Sequence, residues 1–190
     1  MKVRISNCRL AFISLFKPTN VNGEGEPRYG AQLIIDPDSP DVAKLDEAML
    51  AVATEKWKGR TGPIYADMAS KDRLCFRHGP KLNSSGEPYD GFEGKFYLSA
   101  GARVTQRPLV IDRNRAPLTE EDGVIYGGCY ADASVELWAQ DNQFGKRINA
   151  TLKGVQFRAD GDAFTGSAPA SANDFEDLSN LGSAAVDDLM

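Results

Sequence analysis

The sequence predicts a mainly β protein with one main helix, folded as a small closed barrel and followed by an acidic tail. Three observations predict it. From Cys129 to Leu137 every second residue is small or apolar (Cys129, Ala131, Ala133, Val135, Leu137), while Tyr130, Asp132, Ser134, Glu136 and Trp138 between them are polar or amphipathic. That is the period of a half-buried strand. Ile148, Ala150 and Leu152 repeat it after the turn residues Asp141 to Gly145, and Val155 and Phe157 then fall one residue out of phase. Gly154 therefore marks a β-bulge, and a long bent hairpin with one wet face suits a small barrel. Finally, the clearest helical spacing in the chain is the set Val42, Leu45, Met49 and Val52, running on to Trp57.

Taken in order, residues 2–16 alternate with a break near Asn7, which predicts two strand pieces or one bent strand with Leu10, Phe12 and Phe16 on one face. Pro18, Gly23, Gly25 and Pro27 predict a loop over 17–27, and Tyr29 to Ile35 a second strand ended by Asp36-Pro37. Ser39 is placed as N-cap of the helix and Pro40 at its first position. Residues 60–70 read as irregular. A short strand follows, with Leu74 and Phe76 on one face and Arg73, Cys75 and Arg77 on the other. Residues 78–91, with two prolines and three glycines, read as an exposed loop. Phe92 to Ser99 is a strand with Phe96 and Leu98 inward and Lys95 and Tyr97 outward, and 104–111 is an edge strand interrupted by Pro108.

The 190 residues carry a net charge of −5, which by itself argues against a nucleic-acid partner. Its distribution reverses that reading. All 22 Lys and Arg lie at or before Arg158, whereas seven of the 27 acids follow it, so residues 1–158 are net +2. The expected organisation is a folded domain over 1–160 and a flexible acidic tail over 161–190. The three widely spaced cysteines do not read as a disulfide framework. No apolar run approaches the ~20 residues of a membrane span, and no signal-peptide pattern opens the chain, so a soluble protein is expected.

Strand, strand, helix and then several strands in a body of this size fit a five-stranded Greek-key barrel of the OB type with loop insertions, although periodicity leaves other small barrels open. Three strings narrow it: Tyr29-Gly-Ala-Gln-Leu-Ile-Ile-Asp-Pro before a helix, Val124-Ile-Tyr-Gly-Gly-Cys-Tyr-Ala-Asp-Ala-Ser-Val, and Gly145-Lys-Arg-Ile-Asn-Ala-Thr-Leu-Lys-Gly-Val-Gln-Phe followed by Asp160-Gly161. Together they resemble a bacteriophage family first catalogued as a domain of unknown function and now regarded as single-stranded-DNA-binding proteins. The chain departs from it, conservatively, in reading Arg147-Ile-Asn-Ala-Thr-Leu in its last strand. The resemblance implies non-catalytic coating of single-stranded DNA during phage replication or recombination, in the cytoplasm of the infected host. The acidic tail is similar to those of replication single-strand binders generally, which implies that it regulates DNA binding and recruits replication or recombination proteins through Asp174, Phe175, Glu176, Asp177, Asp187, Asp188 and Leu189.

Binding single strands without sequence preference needs cations for phosphates and aromatic faces for bases. Residues 71–115 interleave both, with nine bases against five acids. Strand parity puts Arg73, Arg77, Lys95 and Tyr97 on wet faces and Phe76 and Phe96 in the core. The residues expected to stack are Tyr97, Tyr89 and Phe92, and Arg73, Arg77, Lys81, Lys95, Arg103 and Arg107 are expected on phosphates. Trp138 and Tyr130, on the polar parity of their strand, read equally well as a second platform or as packing residues. Weak binding of duplex DNA is a further expectation, and a duplex-binding role stays open as a close variant. Duplex binding leans on cations and little on aromatics, so tyrosine substitutions separate the two. The competing reading is a phage protein–protein adaptor barrel. Cys75 and His78 are one close pair where a zinc site normally needs two. A single histidine and no nucleophile motif leave little for catalysis, so neither a metal, a cofactor nor an enzyme is expected.

Overall fold

Two long antiparallel hairpins carry the architecture: β1 (Lys2–Val21) with β2 (Glu24–Ile35), and β6 (Tyr130–Asn142) with β7 (Gly145–Ala159). The computed structural model describes residues 1–21 and 23–164. β1 also pairs with β6, and β2 with β4 (Phe96–Arg103). β4 then meets β7 in parallel at Gly101 and Thr151, which closes the ring β1–β2–β4–β7–β6. This is the five-stranded barrel of the OB type that the element order predicts. Two short strands lie at its margins, β3 (Phe76–Arg77) on β4 and β5 (Leu109–Ile111) on β7. The parallel closure is brief because residues 73–77 wedge into it. The Cys75 N–H donates to Ile148 (3.0 Å), and the Ser99 N–H to Cys75 (2.9 Å).

α1 (Asp41–Trp57) contributes Leu45, Met49, Val52 and Trp57 to one buried cluster with Ile5, Leu33, Leu98 and Leu137. The Ser39 hydroxyl accepts the Asp41 N–H at 3.2 Å, so the predicted cap is used although the helix starts one residue later. Among the described residues no helix is long and apolar enough to cross a membrane.

Three expectations are corrected. Residues 17–27 are no loop, since β1 runs to Val21 and β2 resumes at Glu24 as a projecting two-stranded arm. Pro18 and Pro27 are tolerated because an arm has free edges. Residues 60–70 are not irregular either. They contain α2 (Thr61–Ser70), whose Met68 reaches the core. Pro63 sits in its first turn, where no N–H is needed.

The third concerns Phe12. β1 gains one residue between Ile5 and Cys8, where Asn7 holds φ 54°, as the broken alternation predicts. It gains another between Ala11 and Ser14, where Phe12 holds φ 47°. This bulge turns Ile13 into the core and Phe12 out to solvent.

Asp132 ties three strands together at the wet face of β6. Its carboxylate accepts the Asn7 N–H (2.9 Å), Arg4 (2.9 Å) and Arg158 (3.0 Å). Burial pushes this carboxyl up, but the N–H and the two guanidiniums outweigh it and hold it below its ordinary value.

The folded part continues beyond Asp160. The Gly161 N–H donates to the Tyr126 hydroxyl (3.1 Å), and the Phe164 N–H to Gly127 (3.0 Å). The Arg9 guanidinium lies 4.3 Å from the centre of the Phe164 ring. Phe164 joins Tyr89 in packing against a second small core of Ala11, Ile34, Phe92 and Tyr97. That core lies on the outside of β1, β2 and β4, roofed by the insertion 78–95.

Candidate nucleic-acid interface

OB-type barrels hold oligonucleotides on the face of their second and third strands, between the loops joining strands one to two and four to five. Here those parts are β2 and β4, the β1–β2 arm and the β6–β7 hairpin. The insertion 78–95 covers the lower half of that face and leaves the upper half open as a groove of about 720 Å³.

The floor of the groove is nearly bare. Gly101 and Thr151 line it as register partners on β4 and β7, and beyond the lining the row of small residues continues to Gly30 on β2 and Ser14 on β1. Beside it the Ser99 hydroxyl donates to Gln32 at 2.6 Å. One wall is the β6–β7 hairpin. Trp138 is 42% exposed and Phe144 72% exposed, and both face the groove. The Trp138 indole N–H donates to the Thr151 hydroxyl at 3.1 Å, which fixes the ring against the floor. The Asn142 carboxamide accepts the Phe144 N–H at 2.9 Å and shapes the turn. Gly145 completes that turn at φ 100°, and a β-carbon there would overlap the Arg73 guanidinium.

The other wall carries Arg28 and Arg103, which are direct cross-strand partners. Like charges placed opposite each other destabilise a sheet unless something neutralises them. Among the described residues neither has a carboxylate partner, so the pair is a ready site for an anion such as a phosphate.

The residues chosen from the sequence divide. Arg103 lies in the groove, Arg73 at its hairpin edge, and Arg107 is exposed one residue beyond Gln106 of the groove. Arg77 is turned back on the protein, donating to the Leu74 carbonyl (3.3 Å), the Tyr97 hydroxyl (2.9 Å) and the Asp72 carbonyl (2.5 Å). Lys81 lies 5.7 Å from the centre of the Tyr97 ring, and its ammonium is held below its ordinary pKa by burial and then by Arg77. Both line a separate cavity of about 660 Å³ between the helices and the insertion. Lys95 is paired with Asp36 at 2.8 Å.

Phe92 and Tyr97 must be withdrawn as stacking faces in this structure, being 0% and 4% exposed. Parity correctly turns Tyr97 to the outside, but the insertion then folds over it. Tyr89 is half-buried, with its ring centre 4.9 Å from that of Phe12. The aromatic faces of the groove are Trp138, which sequence parity leaves undecided, and Phe144, which it passes over as a turn residue. An exposed aromatic at a hairpin tip was the available signal. Arg28 falls between the loop expected at 17–27 and the strand expected from Tyr29, so no strand face is assigned to it from the sequence.

The model of the family described as Enterobacter phage Enc34, ssDNA-binding protein, matches residues 1–188. "Putative protein p50" of Acyrthosiphon pisum secondary endosymbiont phage 1 is 43% identical over 182 residues, covering 94% of this chain and 95% of that protein. Among solved structures, the single-stranded-DNA-binding protein of bacteriophage Enc34 in complex with ssDNA matches with a TM-score of 0.69 at 28% identity, over 86% of this chain and 89% of the other. Gp2.5 of bacteriophage T7, a single-stranded-DNA-binding protein, matches with a TM-score of 0.52 at 13% identity, over 90% of this chain and 98% of the other, and shares the fold.

Proposed function

The chain belongs to the family of the phage Enc34 single-stranded-DNA-binding protein, and on that premise we propose that it binds single-stranded DNA in the groove between β4 and the β6–β7 hairpin. Bases stack on Trp138 and Phe144, and phosphates engage Arg28 and Arg103, with Arg73 at the edge. The binding is non-catalytic and independent of sequence, because every base has a face to stack and every nucleotide a phosphate. It serves phage DNA replication or recombination in the cytoplasm of the infected host. The observation that carries this reading is the unneutralised Arg28–Arg103 pair facing two exposed aromatics across a floor of small residues. A phosphate-spaced strand fills such a channel, whereas a duplex presents no free base faces to it.

The acidic tail regulates that groove and recruits replication or recombination proteins. Phe164 packs on the same outer face of the barrel as the groove, against Ile34, six residues or about 20 Å along β2 from Arg28. The 26 residues that follow Phe164 span up to about 86 Å when extended, ample to reach Arg28 and Arg103. The tail residues Asp174, Phe175, Glu176, Asp177, Asp187, Asp188 and Leu189 lie outside the described residues. Because residues 161–164 are packed, the division we propose is a DNA-binding domain to Phe164 and a tail beyond it.

Titration of fluorescent oligo-dT, single and annealed to oligo-dA, tests this reading. The single strand should bind more tightly, with log affinity falling against log salt at a slope of about −2 for three neutralised phosphates. Equal affinity for both forms would remove the stacking channel. No binding to either at low salt would leave the adaptor reading.

A further inference from the structure

Phe12 is the residue of the barrel whose placement the fold does not explain. Uninterrupted alternation from Leu10 would carry its side chain into the core. The extra residue between Ala11 and Ser14 instead sends Ile13 inward and leaves Phe12 53% exposed. It does so at φ 47°, a backbone conformation that bulky side chains rarely adopt. The chain thus forgoes burial of an aromatic ring and accepts an unfavourable torsion at the same residue. Bulges that re-aim one side chain in this way cluster beside functional sites.

The ring lies beside the row of small residues, on the strand next to β2 and outside the groove's own lining. Ser14, two residues on, is the β1 member of the row of small residues that reaches Gly101 and Thr151. Ala11, just before, pairs with Gln32, whose carboxamide accepts the Ser99 hydroxyl beside that row. Phe12 is buttressed from below by Tyr89, edge-on with ring centres 4.9 Å apart, and by Phe92 at 6.1 Å. A buttressed aromatic with an open face is what a base stacks on.

We propose that Phe12 is a second stacking platform, so that the bound strand crosses the outer face of the barrel from Trp138 on β6 to Phe12 on β1. This rests on the groove being the DNA site and adds the direction and extent of the path. The floor of small residues lies between the two platforms, where the strand must pass close to the sheet. Phe12 then sets the length of DNA covered by one protein, and Trp138 and Phe144 hold its other end.

Full-length Phe12→Gly tests it, because glycine accepts the positive φ and removes the ring. The expected result is about tenfold weaker binding of long oligo-dT, an affinity that levels off at a shorter oligonucleotide, and a melting temperature unchanged or raised. Phe12→Tyr should keep the wild-type affinity. If Phe12→Gly binds oligo-dT of every length as the wild type does while Trp138→Ala binds weakly, Phe12 is no platform and the groove stands. If Phe12→Gly melts well below the wild type and binds normally when folded, the ring serves stability and the proposal falls. Failure of the wild type itself to bind would overturn both readings together.

Discussion

Replacing Trp138 and Phe144 together by alanine should weaken single-stranded DNA binding about 100-fold. Loss of one stacked base costs ~1–3 kcal/mol, and two losses of ~1.4 kcal/mol each, toward the lower end of that range, give this factor. Folding should be nearly untouched, because Phe144 stands largely in solvent, Trp138 is partly exposed at the hairpin wall, and neither belongs to the buried cores. The Trp138 indole gives up only its bond to Thr151. Phe92→Ala is the informative contrast. That ring is fully enclosed by the insertion, so its removal should cost about 3–5 kcal/mol of stability by leaving a cavity. Anisotropy titrations with oligo-dT beside thermal melts separate the two. Wild-type affinity in the Trp138→Ala, Phe144→Ala variant would move the strand off this groove.

Removing residues 165–190 should strengthen binding of the single strand about tenfold at low salt, with the difference fading as salt rises. Five of the seven acids that follow Arg158 lie beyond Phe164 and none of the bases does. On the proposed reading the tail competes with DNA for Arg28 and Arg103 by charge. At ~0.1 M salt the Debye length is about 10 Å, so an exposed tail is screened more readily than a strand seated against the floor. The cut belongs after Phe164. Ending at Arg158 would also strip the Tyr126–Gly161, Arg9–Asp162 and Phe164–Gly127 bonds that strap the chain to the barrel, mixing lost stability with lost competition. Identical affinities for the two forms at low salt would show that the tail does not occupy the groove.

The barrel was legible where alternation is strict and neighbours are close in sequence. The β6–β7 hairpin, its irregularity at Gly154 and the face of α1 all follow from local pattern. The register of Ser134 with Gly154 and of Val135 with Leu152 places the bulge where the phase changes. Local signals misled where proline or glycine sits in a position that tolerates it, as with Pro18 and Pro27 in the arm and Pro63 in the first turn of α2. The site was harder to read for a different reason. Alternation states which face a residue takes but not what later covers that face. Tyr97 points outward as read, and only the fold of 78–95 over β4 buries it. The interleaved stretch 71–115 supplied Arg103 and, at the edge, Arg73. The groove is completed by Arg28, Trp138 and Phe144, which reach it through β2–β4 pairing and the β4–β7 closure. Neither contact leaves a trace in a single sequence.

One measurement bears most directly on the groove as the seat of the strand. The chain has two tryptophans, Trp57, buried with its indole N–H on Asp141 at 2.8 Å, and Trp138 in the groove wall. In a Trp57→Phe variant the remaining tryptophan emission comes from Trp138 alone. Titrating unlabelled oligo-dT into it should quench that emission in step with binding followed independently by anisotropy, and should shield the indole from acrylamide. Full binding by anisotropy with Trp138 emission and acrylamide access unchanged would contradict the account.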